Sequence, residues 1–274
     1  MRSNPTSISI PYNHVGAQRT LRSKYITAYH QQAQWGELLR LKEVIGEVYN
    51  ARKHQIRILD IGIGFGRIPR LLSRVETWKK IGKYVGIDKS EFSVLTSKRI
   101  IKSIGIADKV EVILLDATKL STYSCGDLWK EEFDAVVCTY FTAGDFQPDE
   151  IALQTGKNGL IVDYDINALK PNKNFVAVFK GAYQLLRDNG KIVIGSAYWD
   201  SDLARRIQED FYQKCGMTVI TTSKDPFTAT KQGFWSERFN EGKIYEYFAW
   251  VHPSKIVSLP LDDYNFAITI IINK

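Results

Sequence analysis

The sequence has few cysteines and no long apolar segment, and both shortages narrow the classes of function. Its three cysteines, Cys125, Cys138 and Cys215, are widely spaced and form neither a zinc-binding pattern nor a disulfide framework. The longest apolar run, near residues 267–272, is far shorter than the ~20 residues that cross a bilayer. No apolar signal-peptide segment is found near the N-terminus. We therefore expect no membrane partner, no structural metal and a cytoplasmic location.

The charge composition indicates a basic, folded chain. Lysine and arginine number 37 against 30 acids, which gives a net charge of +7, and 44% of the 274 residues are hydrophobic. Many of the bases fall on predicted helix faces: Arg67, Arg70, Arg74, Lys79, Lys80, Lys98, Arg99 and Lys102. Such spacing is typical of a solvated face. A nucleic-acid partner is the alternative, but no recognition motif accompanies the charge.

A short strand, a glycine-rich turn and a helix follow one another at residues 56–75. The apolar run at 56–59 predicts a buried strand that ends at Asp60. The turn contains three glycines at alternate positions, Gly62, Gly64 and Gly66. Such a turn lets the backbone approach a ligand closely and directs N–H groups toward negative charge. A dinucleotide-binding G-x-G-x-x-G motif would require glycine where Arg67 stands.

Further strands and helices alternate after this turn. The strands are predicted at residues 83–88, 110–115, 133–138, 191–195, 217–222 and 266–272. Strands that are almost continuously apolar and alternate with helices predict a parallel sheet covered on both faces. Before the first strand, residues 21–49 have a helical pattern that Gly36 is expected to divide.

This order of elements, with its G-x-G-x-G turn, resembles the class I S-adenosylmethionine (SAM)-dependent methyltransferases over about residues 56–222. The resemblance implies an α/β fold with a doubly wound, seven-stranded, mostly parallel sheet and an antiparallel last strand. Residues 1–55 would form an N-terminal arm and helical lid, and residues 56–274 the SAM-binding domain. Two segments, at about 144–174 and 223–263, are longer than the connections that this fold requires, and loops of this length are usually functional.

The resemblance also assigns cofactor-binding residues at the carboxyl ends of the strands: Asp60, Gly62, Gly64, Asp88, Lys89, Asp116, Ala117, Cys138 and Thr139. Asp60 and the glycines would meet the methionine portion of SAM. Asp88 would accept hydrogen bonds from the ribose hydroxyls, and Lys89 lies beside it. Asp116 and the Ala117 N–H would bind adenine. For each acid, capping of the following helix is the alternative.

The sequence does not determine a general base. His30, Tyr140 and Asp145 are candidates, since each is expected near the acceptor. The end of the fourth strand lacks an Asn-Pro-Pro-Tyr motif, which disfavours methylation of planar bases. The pair Asp163 and Asp165 has no partner at a strand end, so no metal is expected.

The two inserts predict the acceptor site. Acids of the first would face aromatic residues of the second: Phe234, Trp235, Phe239, Tyr245, Tyr247, Phe248 and Trp250. Such a pocket suits an amine-bearing or aromatic metabolite; packing in the core or at a homodimer contact is the alternative. We expect direct in-line transfer of a methyl group from SAM to a small molecule, leaving S-adenosylhomocysteine (SAH). An RNA or protein methyltransferase and a non-catalytic subunit are the other hypotheses.

Overall fold

The fold is a sheet with helices on both faces. The computed structural model describes residues 26–124, 129, 132–147, 171–232, 234–261 and 263–274. Its α-helices are α1 (Ala28–Arg52), α2 (Arg67–Leu72), α3 (Glu91–Ser103), α4 (Leu120–Ser124), α5 (Lys173–Leu185), α6 (Asp202–Lys214) and α7 (Glu241–Tyr247). Its strands are β1 (Ile56–Ile61), β2 (Ile81–Asp88), β3 (Val110–Leu114), β4 (Phe133–Cys138), β5 (Leu186–Trp199), β6 (Phe227–Ala229), β7 (Trp235–Phe239), β8 (Ile256–Pro260) and β9 (Ala267–Asn273).

Most of the predicted N-terminal arm and of the first insert falls at residues 1–25 and 148–170, outside the described residues. The pair Asp163 and Asp165 and the cysteine Cys125 are also outside them. The division of the chain near residue 55 stays a prediction.

The sheet has the strand order β3-β2-β1-β4-β5-β7-β6. The first five strands are parallel to their neighbours. β9 lies antiparallel to β5, and β8 lies antiparallel to β9. The predicted α/β class, with a mostly parallel sheet and an antiparallel last strand, is confirmed, although the sheet has nine strands rather than seven. The order reverses between β1 and β4, where open α/β sheets bind their ligands.

The strand predicted at residues 217–222 does not form, and β8 takes its place in the sheet. Residues 217–222 contribute only an isolated bridge between Val219 and Thr230. Met217 is buried against the end of α6 instead, so its apolar character reflects helix packing. The position beside β9 belongs to β8, which runs parallel to β5 because both are antiparallel to β9. β8 lies inside the predicted second insert.

Helix α1 is continuous through Gly36, contrary to the prediction that this glycine divides it. A Cβ atom at position 36 would lie 3.1 Å from Leu261 Cδ2, so glycine allows the helix to approach the segment after β8. Further along α1, Leu41, Ile45 and Val48 pack against one face of the sheet. The second half of α1 is therefore part of the core.

The aromatic residues of the second insert extend the core on the opposite face of the sheet. Phe239, Tyr247 and Phe248 are buried and lie 5.3, 5.2 and 5.5 Å from the ring of Phe175 on α5. The predicted aromatic wall of an acceptor pocket is therefore wrong for these three side chains. An aromatic side chain in a long insert can pack in the core or line a pocket, and the sequence pattern is the same in both cases.

Candidate functional site

The glycine turn between β1 and α2 has backbone angles that favour glycine. The φ values of Gly62, Gly64 and Gly66 are 74°, 54° and 72°. A Cβ atom at Gly62 would lie 2.5 Å from the Thr142 methyl carbon, so this glycine lets the turn contact the segment after β4. At Gly64 the nearest atom would be the Gly62 carbonyl oxygen at 4.0 Å. The space beside Gly64 is therefore open to a ligand.

Asp88, at the end of β2, is joined to this turn. Its Oδ2 accepts a hydrogen bond from the Gly64 N–H at 3.0 Å, and its Oδ1 accepts one from the Ser90 N–H at 2.9 Å. Burial raises the pKa of Asp88, while these two bonds and the charge of Lys89 oppose the increase. Each carboxylate oxygen keeps a further lone pair that can accept from a ligand hydroxyl. Lys89 itself is exposed.

Asp116 follows β3 and caps a short 3-10 helix, Ala117–Lys119. Its Oδ1 accepts hydrogen bonds from the N–H and the hydroxyl of Thr118, at 3.0 and 2.8 Å. Ala117 is buried beside it. The capping role that the sequence left open is therefore present, and the roles of Asp116 and Ala117 toward adenine stay predictions.

Asp60, near the end of β1, has a buried carboxyl group. Its Oδ2 accepts a hydrogen bond of 2.6 Å from the Tyr84 hydroxyl. Its Oδ1 is buried without a hydrogen-bond partner among the described residues. Burial raises the pKa of Asp60 to about 7, although the Tyr84 bond and the charge of Arg67 act in the opposite direction. A buried acceptor without a partner costs about 1–3 kcal/mol, which a cationic ligand group would offset.

Glu37 on α1 lies at the carboxyl edge of the sheet, at a position that no sequence motif indicates. The side chain is fully buried and accepts hydrogen bonds from the Ser196 hydroxyl at 2.6 Å and the Tyr140 N–H at 2.7 Å. It also forms an ion pair with Arg67, whose side chain is only 21% exposed. The assignment of Arg67 to a solvated face was therefore wrong, because Arg67 begins α2 beside the glycine turn and its side chain faces the buried Glu37.

The spacing of Glu37 within α1 is the sequence signal that marks it as buried. Glu37 occupies the same stripe of α1 as the buried residues Ala33, Leu41 and Ile45. An acid at such a position must find partners when the stripe is buried. Of the other bases grouped with Arg67, the following are exposed: Arg70, Arg74, Lys79, Lys98, Arg99 and Lys102.

The end of β4 combines core packing with an unusual backbone. Cys138 is fully buried in the core, and burial raises the pKa of its thiol, so we expect no reactive thiolate there. Thr139 is also buried. Tyr140 and Phe141 then have φ values of 54° and 62°. Left-handed angles in residues other than glycine cost about 1–3 kcal/mol each and cluster at functional sites.

The three candidates for a general base lie in different surroundings. Tyr140 is half-buried, with the Arg67 Cζ 5.1 Å from its ring centroid. Asp145 ends the 3-10 helix Thr142–Asp145 and is half-buried. His30 is 1% exposed, and its Nδ1 and Nε2 hydrogen-bond to the hydroxyls of Thr27 and Tyr198 at 2.8 and 3.1 Å. Since both of its nitrogens are engaged, these contacts do not favour His30 as a base.

Two negative findings apply to the described residues. Among them, no group of three or more His, Cys, Asp or Glu side chains is arranged to hold a metal ion. No helix within the same ranges is both long and apolar enough to cross a membrane.

Comparison with known proteins identifies the fold and the family. A family model described as a methyltransferase domain matches residues 52–248. The PH0226 protein from Pyrococcus horikoshii OT3 is 16% identical, with 85% of this chain and 89% of that chain covered and a TM-score of 0.52. Magnesium protoporphyrin IX methyltransferase from Synechocystis PCC 6803, solved with bound SAH, is 11% identical, with 96% of both chains covered and a TM-score of 0.52.

A SAM-dependent methyltransferase from Clostridium acetobutylicum ATCC 824 is 12% identical, with 85% of this chain and 89% of that chain covered and a TM-score of 0.51. At such identities these structures demonstrate a shared fold only. No curated protein matches the chain.

Proposed function

The chain belongs to the class I family of SAM-dependent methyltransferases and is an enzyme with SAM as its cofactor. We propose that the acceptor of the methyl group is a small molecule. The observation that carries the proposal is the position of the N-terminal part of α1. There the fully buried Glu37 contacts Arg67, the Tyr140 N–H and Ser196 at the carboxyl edge of the sheet. An acceptor that reacts beneath such a cover has to be small enough to be enclosed.

The residues at the edge fit SAM group by group. The Oδ1 of Asp60, which has no partner within the described ranges, suits the ammonium of the methionine portion, for which the space beside Gly64 leaves room. Asp88 would accept from the ribose hydroxyls, and Asp116 with the Ala117 N–H would bind adenine. We further propose that the backbones of Cys138 and Thr139 border the methionine portion, since the Cys138 side chain is in the core.

The reaction is proposed to be a direct in-line displacement. SAM supplies a methyl group activated by its sulfonium centre. A lone pair of the acceptor forms a bond to the methyl carbon while the electrons of the carbon–sulfur bond pass to sulfur, which leaves SAH. The protein has to align the reacting atoms and exclude water, and alignment is worth up to about 7–11 kcal/mol in ideal cases.

The need for a general base depends on the acceptor. A neutral amine requires none, whereas a hydroxyl would require a group such as Tyr140 or Asp145. We propose no narrower class of small molecule, because the buried aromatics of the second insert no longer support a specific pocket. A cytoplasmic location remains part of the proposal, based on the few, widely spaced cysteines.

A panel assay tests the acceptor class. The enzyme is incubated with SAM and sets of small metabolites bearing amines, hydroxyls or acidic carbons, alongside RNA fragments and protein extracts. SAH formation and the methylated product are measured by mass spectrometry. We expect at least one small molecule to raise SAH formation above the rate with SAM alone. Transfer only to protein, or only to RNA with the steep salt dependence of counterion release, would contradict the proposal.

Asp88→Ala is expected to weaken SAH binding by about 1.5–3 kcal/mol, because a charge-assisted hydrogen bond to the ribose is lost. Isothermal titration calorimetry measures the change. An SAH analogue without the two ribose hydroxyls should lose less affinity than SAH does, because the variant also removes the Gly64 hydrogen bond that both ligands depend on. The exposed Asp108, replaced by alanine, is the matched control. Unchanged SAH affinity in Asp88→Ala would show that this carboxylate does not contact the ribose.

A further inference from the structure

We propose that Arg67 binds the carboxylate of the cofactor's methionine portion and that Glu37 is the positioning residue that holds Arg67 in place. The inference rests on the proposed cofactor site and extends it to two residues that neither the motif nor the family resemblance assigned.

One donor group of the Arg67 guanidinium has no partner among the described residues. Its Nη2 pairs with Glu37, and its Cζ lies 5.1 Å from the ring centroid of Tyr140. Its Nη1 is buried and has no hydrogen-bond partner among the described residues. Arginine presents planar N–H donors that match a carboxylate, and buried donors are normally satisfied. The free Nη1 therefore indicates a ligand group that accepts hydrogen bonds.

A second unsatisfied atom lies near this one and has the opposite character. Asp60 Oδ1 is a buried acceptor without a partner among the described residues. The charge of Arg67 is close enough to lower the pKa of Asp60, against the larger effect of burial. The two residues flank the same glycine turn. A carboxyl acceptor and a cationic donor, each without a partner in the described part of the chain, match the ammonium and the carboxylate of an amino-acid zwitterion.

Glu37 fixes the orientation of Arg67. Its carboxylate is itself held by the Ser196 hydroxyl at 2.6 Å and the Tyr140 N–H at 2.7 Å, from β5 and from the end of β4. A Cβ atom at Gly195 would lie 2.7 Å from Glu37 Cγ, so the glycine makes room for this side chain. Because arginine has many rotamers, a fixed partner reduces the entropy that Arg67 loses on binding the ligand. Helix α1 is thereby connected to the cofactor.

Three ligands distinguish the contribution of the carboxylate to binding affinity from that of the ammonium. SAH carries both, decarboxylated SAH keeps only the ammonium, and 5′-methylthioadenosine has neither. Arg67→Gln is expected to lower SAH affinity roughly 10- to 100-fold, as for the loss of a charge-assisted bond, and to leave the affinity for the other two ligands unchanged. Glu37→Gln should give a smaller loss that is likewise limited to SAH. Calorimetry measures all affinities, so no acceptor is needed.

Matched variants complete the design. Arg70→Gln, on the exposed side of α2, should change no affinity. Asp60→Asn should lower the affinity for SAH and for decarboxylated SAH to the same extent and leave the affinity for 5′-methylthioadenosine unchanged. If Arg67→Gln does not fold, Arg67→Lys keeps the charge and should still show a several-fold loss confined to SAH, since lysine lacks the planar donor pair.

The outcomes distinguish this inference from the proposed cofactor site. If the Arg67 variants lose affinity equally for SAH and decarboxylated SAH, or lose none, the assignment of Arg67 is overturned and the proposed cofactor site is not. A loss in Glu37→Gln that extends to all three ligands would assign Glu37 a purely structural role. Failure of the wild type to bind SAH would instead contradict the proposed cofactor site.

Discussion

Glu237→Ala is expected to lower the free energy of unfolding by about 3–5 kcal/mol, the usual cost of breaking a buried ion pair from one side. Glu237 is 5% exposed and accepts hydrogen bonds from Lys243 Nζ at 3.1 Å, the Tyr247 hydroxyl at 2.6 Å and Asn172 Nδ2 at 3.0 Å. Without this carboxylate, the Lys243 ammonium would stay buried with the Arg238 carbonyl oxygen, at 2.7 Å, as its remaining partner in the network.

Urea unfolding followed by tryptophan fluorescence measures the loss. Glu241→Ala, an exposed acid at the start of the same helix α7, should change stability by no more than about 0.5 kcal/mol. The double variant E237L/K243M removes both charges and should recover part of the loss, because an apolar pair of similar volume avoids the uncompensated ammonium. A Glu237→Ala effect as small as that of the Glu241 control would contradict the prediction.

This network connects the second insert to the segment after β4. Asn172, at the start of α5, donates from Nδ2 both to Glu237 and to the Phe146 carbonyl oxygen. A Cβ atom at Gly144 would lie 2.8 Å from the Glu237 carbonyl oxygen, so β7 packs directly on the segment after β4. The insert therefore supports the segment that contains Asp145, which gives it a structural role in place of the predicted aromatic wall.

Most of the parallel sheet could be predicted because its strands are buried on both faces. β1 and β4 are almost entirely buried, so their sequences are nearly continuous apolar runs. Asp60, Asp88 and Asp116 lie at or close to the ends of β1, β2 and β3. β8 could not be found in the same way. Its burial is mixed, with several exposed residues, so it lacks that pattern and was absorbed into a predicted insert.

The positions of candidate residues were predictable where they lie at the ends of predicted strands. The glycine turn and Asp88 were expected together, and the Gly64–Asp88 hydrogen bond joins them. Contacts between distant elements were not predictable. Glu37 contacts Arg67, 30 residues further along the chain, only because the N-terminal half of α1 packs at the carboxyl edge of the sheet. The pKa of Asp60 is raised only because the folded chain buries its carboxyl group.

Acidification is expected to destabilise the folded chain through His30, by up to about 3 kcal/mol between pH 6.5 and pH 4. Burial lowers the pKa of His30 from 6.5 to about 4. Its ring lies 5.7, 5.1 and 5.1 Å from the rings of Phe141, Phe211 and Phe266, an apolar environment that disfavours the charged imidazolium. In this range the unfolded chain binds a proton that the folded chain does not. The free energy of unfolding contributed by His30 therefore falls as the pH falls.

The total pH dependence does not isolate this effect, because Asp60 acts in the opposite direction. Its folded pKa is raised to about 7, so its contribution to stability falls as the pH rises from about 4 to 7. The test is therefore the difference between wild type and His30→Gln in urea unfolding at several pH values from 7.5 to 4.5. The wild type should lose its stability advantage over the variant as the pH falls. His54→Gln, at an exposed position, should run parallel to the wild type, and a His30→Gln curve that also runs parallel would show that His30 is protonated equally in both states.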